Sequence, residues 1–192
     1  DPKLNLFFIG TSQAKPWVAA SRGMTPKNPA LYTNSTLALN PNNGKLEWFF
    51  QHIPGETIDM EVGFERVLID RKNKNYLFTV GKDGILWKID SKTGNFIQLL
   101  ETVNQNIYDK IDYKTGKLSY RDDILNSKVD KAFSVCPGIY GGHNWQAISY
   151  DETTSSLIIP LHQLCADMIG RKVERVEGYG GFGADSKSYP LP

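Results

Sequence analysis

Asp59 and Glu61 stand two residues apart in the stretch Pro54-Gly55-Glu56-Thr57-Ile58-Asp59-Met60-Glu61. In an extended segment residues i and i+2 project to the same side, so the two carboxylates point one way. Such a pair can share a hard cation, or one can act as general base beside a metal that the other holds. Lys82 sits in Gly81-Lys82-Asp83-Gly84, a hairpin whose Asp-Gly pair suits a type I′ turn. Gly141-Gly142-His143-Asn144-Trp145 opens a strand; its glycines allow close backbone approach, and Asn144 is placed to reach into a central channel. Each has an ordinary alternative: solvated loop carboxylates, an exposed turn lysine, a strand start. His52, His143 and His162 are too dispersed for a zinc site. There is no Gly-x-Ser-x-Gly elbow, and the glycine cluster Gly178 to Gly183 lacks the strand, helix and Lys-Ser/Thr of a phosphate loop. Cys136 and Cys165 have no Cys-x-x-Cys spacing and read equally as two thiols in a reducing compartment or a disulfide in an exported protein.

The elements that must position these groups are short strands. Candidates run over Leu6–Gly10, Ser35–Leu39, Leu46–His52, Arg66–Ile69, Tyr76–Val80, Ile85–Ile89, Phe96–Leu100, Trp145–Tyr150 and Leu157–Pro160. No segment carries a 3.6-residue apolar period over ten residues, so the expected class is all-β. Gln13–Asn34 and Arg171–Pro192 read as irregular. Three turns share one grammar: Leu39-Asn40-Pro41-Asn42-Asn43-Gly44, Ile89-Asp90-Ser91-Lys92-Thr93-Gly94 and Ile111-Asp112-Tyr113-Lys114-Thr115-Gly116. Tyr150-Asp151-Glu152-Thr153-Thr154-Ser155 is a weaker copy. An Asx residue, a linker and a glycine that supplies positive φ make a tight turn. Its recurrence between strands, at ragged spacing, suggests propeller blades with loop insertions.

Across the 192 residues the net charge is +1, too weak a field to recruit nucleic acid or an anionic membrane. No apolar run approaches the roughly 18 residues needed to span a bilayer. Asp1-Pro2 runs straight into a strand and Ser188 to Pro192 reads as open loop, so the expectation for residues 1–192 is a partial propeller domain truncated at both ends.

Taken in order, these segments resemble the pyrroloquinoline-quinone (PQQ) dependent alcohol dehydrogenases, the methanol and ethanol dehydrogenase group. Ala38-Leu39-Asn40-Pro41-Asn42-Asn43-Gly44-Lys45-Leu46-Glu47-Trp48 resembles that family's tryptophan-docking motif, Ala-x-Asp-x-x-Thr-Gly-x-x-x-Trp, with Asn in place of Asp and of Thr. Gly10-Thr11-Ser12-Gln13-Ala14-Lys15-Pro16-Trp17 resembles Gly-Thr-Gly-Asn-Pro-Ala-Pro-Trp, whose Asn is a metal ligand; Gln13 takes that place with one more methylene. Asp59 matches the catalytic aspartate, and Glu61 falls where lanthanide-using members carry an extra carboxylate. Lys82 matches the basic residue beside the quinone carbonyls. Gly141 to Trp145 matches Gly-Gly-Lys-Asn-Trp, whose Asn reaches the cofactor.

The resemblance implies about three blades of an eight-bladed propeller closed by docking motifs, with Trp48 buried between blades and its indole N–H donating. It implies oxidation of an alcohol by hydride transfer to PQQ, with Asp59 as general base and a Ca²⁺ or lanthanide ion as Lewis acid. Asp59, Glu61 and Gln13 would be metal ligands; Lys82, Asn144 and Trp145 would bind the cofactor. It further implies a Cys136–Cys165 disulfide, a periplasmic location, a cytochrome c electron acceptor, and a remainder of the propeller supplying the other cofactor and metal contacts. Two other readings share the architecture: a cofactor-free propeller that binds proteins, and a PQQ sugar or polyol dehydrogenase.

Overall fold

A computed structural model describes residues 1–174 and 176–191, almost all of the regular structure being antiparallel sheet. Strands β1 (Phe7–Gly10), β2 (Ser35–Leu39) and β3 (Leu46–Gln51) form a three-stranded sheet. A four-stranded meander follows, β4 (Val67–Arg71), β5 (Lys74–Val80), β6 (Ile85–Asp90) and β7 (Phe96–Glu101), in the order β4-β5-β6-β7. Next come the hairpin β8 (Tyr108–Asp112) and β9 (Lys117–Tyr120), β10 (Ala132–Val135), the hairpin β11 (Ser149–Asp151) and β12 (Ser156–Ile158), then β13 (Leu164–Gly170) and β14 (Ala184–Pro190). The third sheet has the order β10-β13-β14. One four-stranded and two three-stranded sheets agree with about three blades. Two short helical turns, Ala19–Arg22 and Asp122–Leu125, interrupt the strands, and among the described residues no helix is long and apolar enough to cross a membrane.

The repeated turns form as their sequences dictate. Gly44, Gly94 and Gly116 donate their N–H to the carbonyls of Asn40, Asp90 and Asp112 at 2.8, 2.8 and 2.7 Å. The Asx side chain accepts in each: Asn42 N–H on Asn40 Oδ1 at 3.0 Å, Lys92 N–H on Asp90 Oδ1 at 2.9 Å and Lys114 N–H on Asp112 Oδ1 at 2.9 Å. A register shift precedes the first two turns, between Ala38 and Leu39 and between Lys88 and Ile89. Docking is visible at Gly94, φ +75°, where an added Cβ would lie 2.6 Å from Trp48 Cε3. The indole lies flat on a glycine that no larger residue can replace. Phe96 does the same to Gly116, where a Cβ would come within 2.7 Å of its ring. Two expectations for Trp48 fail: the residue is half-buried rather than buried, and its Nε1 has no hydrogen-bond partner.

Several expectations need correcting. Arg171–Pro192 is not all irregular, since β14 pairs with β13 from Ala184 to Pro190. The strand expected at Trp145–Tyr150 starts only at Ser149. Strands β8, β9, β10 and β13 were not foreseen. The core runs between the sheets, with Ile53, Ile58, Met60, Val62, Ile85, Trp87, Ile107, Phe133, Val135 and Met168 all buried. Cys136 and Cys165 form a disulfide, their Cα atoms 4.3 Å apart. It ties the end of β10 to the start of β13.

Candidate functional site

Residues 53–62 follow β3 without joining a sheet, yet Ile53, Glu56, Thr57, Ile58, Asp59, Met60 and Val62 are all buried. Buried backbone donors outside a ladder must find other acceptors. Here side chains serve. Glu56 Oε1 accepts from the N–H groups of Ile58, of Asp59 at 2.5 Å and of Met60 at 2.9 Å. Asn34 Oδ1 accepts from Val62 N–H at 3.2 Å, and Thr57 Oγ1 accepts from Ala19 N–H at 2.7 Å. Asp59 itself sits at φ +113°, a conformation disfavoured for any L-residue and costing on the order of 1–3 kcal/mol. The loop is held, under strain, in the shape that aims the Asp59 carboxylate.

Three chain segments then close on one point. The Lys82 N–H donates to Glu61 O at 3.0 Å, and an added Cβ on Gly81 would meet Glu61 O at 2.7 Å. From the other side Gly142 N–H donates to Lys82 O at 2.8 Å, and a Cβ on Gly141 would lie 2.5 Å from Lys82 Cα. The glycines expected to permit close approach do so, and what they approach is the Lys82 turn.

The Lys82 ammonium lies between the two carboxylates, 2.9 Å from Asp59 Oδ2 and 2.7 Å from Glu61 Oε1. Lys82, Asp59 and Glu61 side chains are 8%, 7% and 12% exposed. The other Glu61 oxygen, Oε2, bonds to Ser12 Oγ, which also touches Gln13 Oε1. Ser12 has one proton for two acceptors, so it donates to one of them at a time. Gln13, Ser12, Glu61, Lys82 and Asp59 thus form one continuous polar chain. Burial is the main cause that pushes the Asp59 carboxyl up to about 7; Lys82 pulls it down, while Glu56 and Glu61 add to the rise. Burial also works against the Lys82 charge, but the two carboxylates outweigh it and its pKa lies above the ordinary value. Asp59 Oδ1 is buried and unpartnered.

Asn144 is half-buried; its amide donates to Tyr140 O at 3.1 Å, and its Oδ1 is buried without a partner. Trp145 is 77% exposed and stands edge-on to Phe64, ring centroids 5.2 Å apart. On the same Phe64 packs the buried His143 ring at 5.3 Å, its Nδ1 2.9 Å from Pro160 O.

The donor set fits a hard cation: two carboxylates and an amide oxygen, with one carboxylate oxygen orphaned. Among the described residues no three acidic, histidine or cysteine side chains gather, so this chain offers part of a coordination shell. The orphaned Asn144 Oδ1 and the Lys82 ammonium fit a ligand bearing carbonyl, carboxylate and N–H groups.

Sequence reasoning missed Glu56, Ser12 and Asp83. Asp83 is fully buried, accepting from Ile85 N–H at 3.2 Å and Trp87 Nε1 at 3.3 Å, and burial pushes its carboxyl to about 7. No pattern of residue types marks any of the three in the sequence.

A family model for the glucose/ethanol/alcohol dehydrogenase beta-propeller domain, the PQQ model, matches residues 1–106. The chain is 30% identical over 171 residues to the quinohemoprotein alcohol dehydrogenase ADH-IIG of Pseudomonas putida, covering 86% of this chain and 24% of that protein. It is 30% identical over 202 residues to the dehydrogenase subunit of the quinone-linked alcohol dehydrogenase of Gluconobacter oxydans, covering 100% and 25%. This chain therefore spans about a quarter of the length of these relatives. In fold it superposes on a europium-containing methanol dehydrogenase with a TM-score of 0.90 at 22% identity, over 99% of this chain and 33% of that one.

Proposed function

The chain belongs to the PQQ dehydrogenase β-propeller family, and from that premise we propose that it carries the base-and-lysine part of the active site of a quinoprotein alcohol dehydrogenase. The observation that carries this is the Asp59 carboxylate, buried, with Oδ2 held by Lys82 Nζ at 2.9 Å and Oδ1 without a partner. An oxygen so placed accepts a hydroxyl proton without first giving up a hydrogen bond. Burial holds its pKa at about 7, near working pH, where a carboxylate is a stronger base than in water.

When bound, PQQ supplies a two-electron acceptor for the hydride of the carbinol carbon, and a hard cation supplies Lewis-acid polarisation. Lys82, its side chain 8% exposed, would set one positive charge where negative charge grows during the reaction. Asn144 Oδ1 and the exposed face of Trp145 offer a hydrogen-bond acceptor and an aromatic surface for the cofactor. Gln13, Glu61 and Asp59 offer the oxygens for Ca²⁺ or a lanthanide, and the extra charge of Glu61 favours the trivalent ion. The Cys136–Cys165 bond supports an oxidising compartment, hence the periplasm, with a cytochrome c as electron acceptor. The rest of the propeller would complete the domain and both ligand shells.

Asp59→Asn in the intact protein tests the assignment. Turnover of a primary alcohol falls by at least about a hundredfold while PQQ still binds, read by the cofactor's absorbance. Near-normal turnover would place the base elsewhere. For the metal, intact protein stripped of metal and given PQQ regains most activity with La³⁺; full activity with Ca²⁺, unchanged by Glu61→Ala, would remove Glu61 from the shell.

A further inference from the structure

We propose that Glu56 is a positioning residue for Asp59, its one oxygen gathering the N–H groups of Ile58, Asp59 and Met60 and so fixing the backbone from which the base projects. The inference rests on the reading of Asp59 as base.

The loop is buried and has no ladder, so its shape is set by whatever takes its donors. Glu56 Oε1 takes three consecutive ones, at 2.5 Å from Asp59 N and 2.9 Å from Met60 N, with Ile58 N also in contact. The middle donor belongs to Asp59, whose φ of +113° would relax without such a hold. Glu56 is itself anchored: Arg22 Nη2 donates to its carbonyl at 3.0 Å, and Gly55 before it packs on Pro26 O, where an added Cβ would lie 1.8 Å away. Its second oxygen, Oε2, is buried and unpartnered, so every hydrogen bond of the carboxylate goes to the loop. At 1% exposure it is shut off from solvent. Asp59 must sit within hydrogen-bond reach of the substrate hydroxyl, about 2.6–3.2 Å, to act, and misplacement by about 1 Å costs on the order of a hundredfold.

The test pairs Glu56→Gln with Glu56→Met in the intact, PQQ-loaded protein, both variants alone and combined with Asp59→Asn. Gln keeps a carbonyl oxygen at the same reach and Met keeps only the length. The expected result is turnover within about threefold of the parent for E56Q and a loss of about tenfold to a hundredfold for E56M. The loss falls in kcat per bound PQQ, with KM for alcohol and PQQ affinity unchanged, and E56M adds no further loss to Asp59→Asn because it acts through that residue. Full turnover in E56M, a loss shared equally by E56Q, or additive losses with Asp59→Asn would each overturn the inference. Should E56M not fold, amide exchange of Ile58, Asp59 and Met60 decides: slow exchange in parent and E56Q supports the clamp, and exchange at loop rates in the parent overturns it. If Asp59→Asn alone leaves turnover intact, the base assignment fails instead, a distinct outcome.

Discussion

The outer turn at Asp112 and the inner loop at Glu56 use the same device. In both a carboxylate accepts from backbone N–H groups two and three residues on: Lys114 and Thr115 for Asp112, Ile58 and Asp59 for Glu56. The consequences are opposite. At the exposed Asp112 those hydrogen bonds hold the carboxyl below its ordinary value. At Glu56 desolvation dominates and the carboxyl is pushed up in spite of three backbone donors and the Arg22 charge. Hydrogen bonding favours the ionised form in both places, and burial decides the sign. The outer carboxylates stabilise the fold; the inner ones are held at a cost in desolvation.

Removing the charge that balances the inner loop has the largest expected effect. Lys82→Met leaves Asp59 and Glu61 facing each other in a closed site, and the unfolding free energy of the metal-free intact protein falls by about 3–5 kcal/mol at pH 8. A urea midpoint that barely moves would mean that the carboxylates are solvated and the comparison is false.

A smaller effect sharpens the inner half. The Asp83 carboxyl has its pKa raised to about 7, so the folded state binds its proton more tightly than the unfolded chain. Stability from this group is therefore fully present below about pH 4 and is lost as pH rises through about 7. Asp83→Asn removes that component, and the decline in urea midpoint between pH 5 and pH 8 becomes shallower. An unchanged slope would contradict the direction assigned to Asp83.

The outer half gives the smallest effect and the reverse sign. Asp112 has a lowered pKa, so its contribution is present above the ordinary carboxyl pKa of about 4 and is lost as pH falls through the lower folded-state value. Asp112→Ala should lower the melting temperature at pH 7 by a few degrees, and by less at pH 3. An equal loss at both pH values would show that the carboxylate charge is irrelevant to the turn.

The same contrast decides what the sequence reveals. The outer turns are legible because Asn40, Asp90 and Asp112 act on their own next residues, so grammar and geometry coincide. Strands with alternating burial, such as β6 with Ile85, Trp87 and Ile89 inside, are legible for the same reason. Strand β14 is not: Ala184-Asp185-Ser186-Lys187-Ser188-Tyr189-Pro190 is a polar strand beside β13 whose pairing comes from its partner rather than its own pattern. Strand β13 buries Ala166, Met168 and Gly170 on one face, but Cys165 and Ile169 put apolar residues on the other too, so its sequence shows no period of two. At the site, Asp59, Glu61, Lys82 and Gln13 were readable through the family's motifs, though not the ion pairs that Lys82 makes with the two carboxylates. Ser12 and Glu56 were not, because one acts between two side chains and the other on peptide N–H groups, and neither contact leaves a trace in residue type. Trp145 was expected inside a strand and instead stands before it, largely exposed.

The stacking of Trp48 on Gly94 and of Phe96 on Gly116 bears on how such a molecule can drift in sequence without losing its shape. A flat ring has one thickness whether it is an indole or a phenyl group, and a bare glycine adds none of its own. The spacing between neighbouring wedges is thus metered by the thickness of a single aromatic plate. Exchange of one plate for another leaves the angle between wedges untouched, so a copy of the motif can lose its tryptophan, as the later ones here have. An aliphatic spacer is bulkier in the stacking direction and would open the angle, an error that a closed ring would sum around its whole circumference.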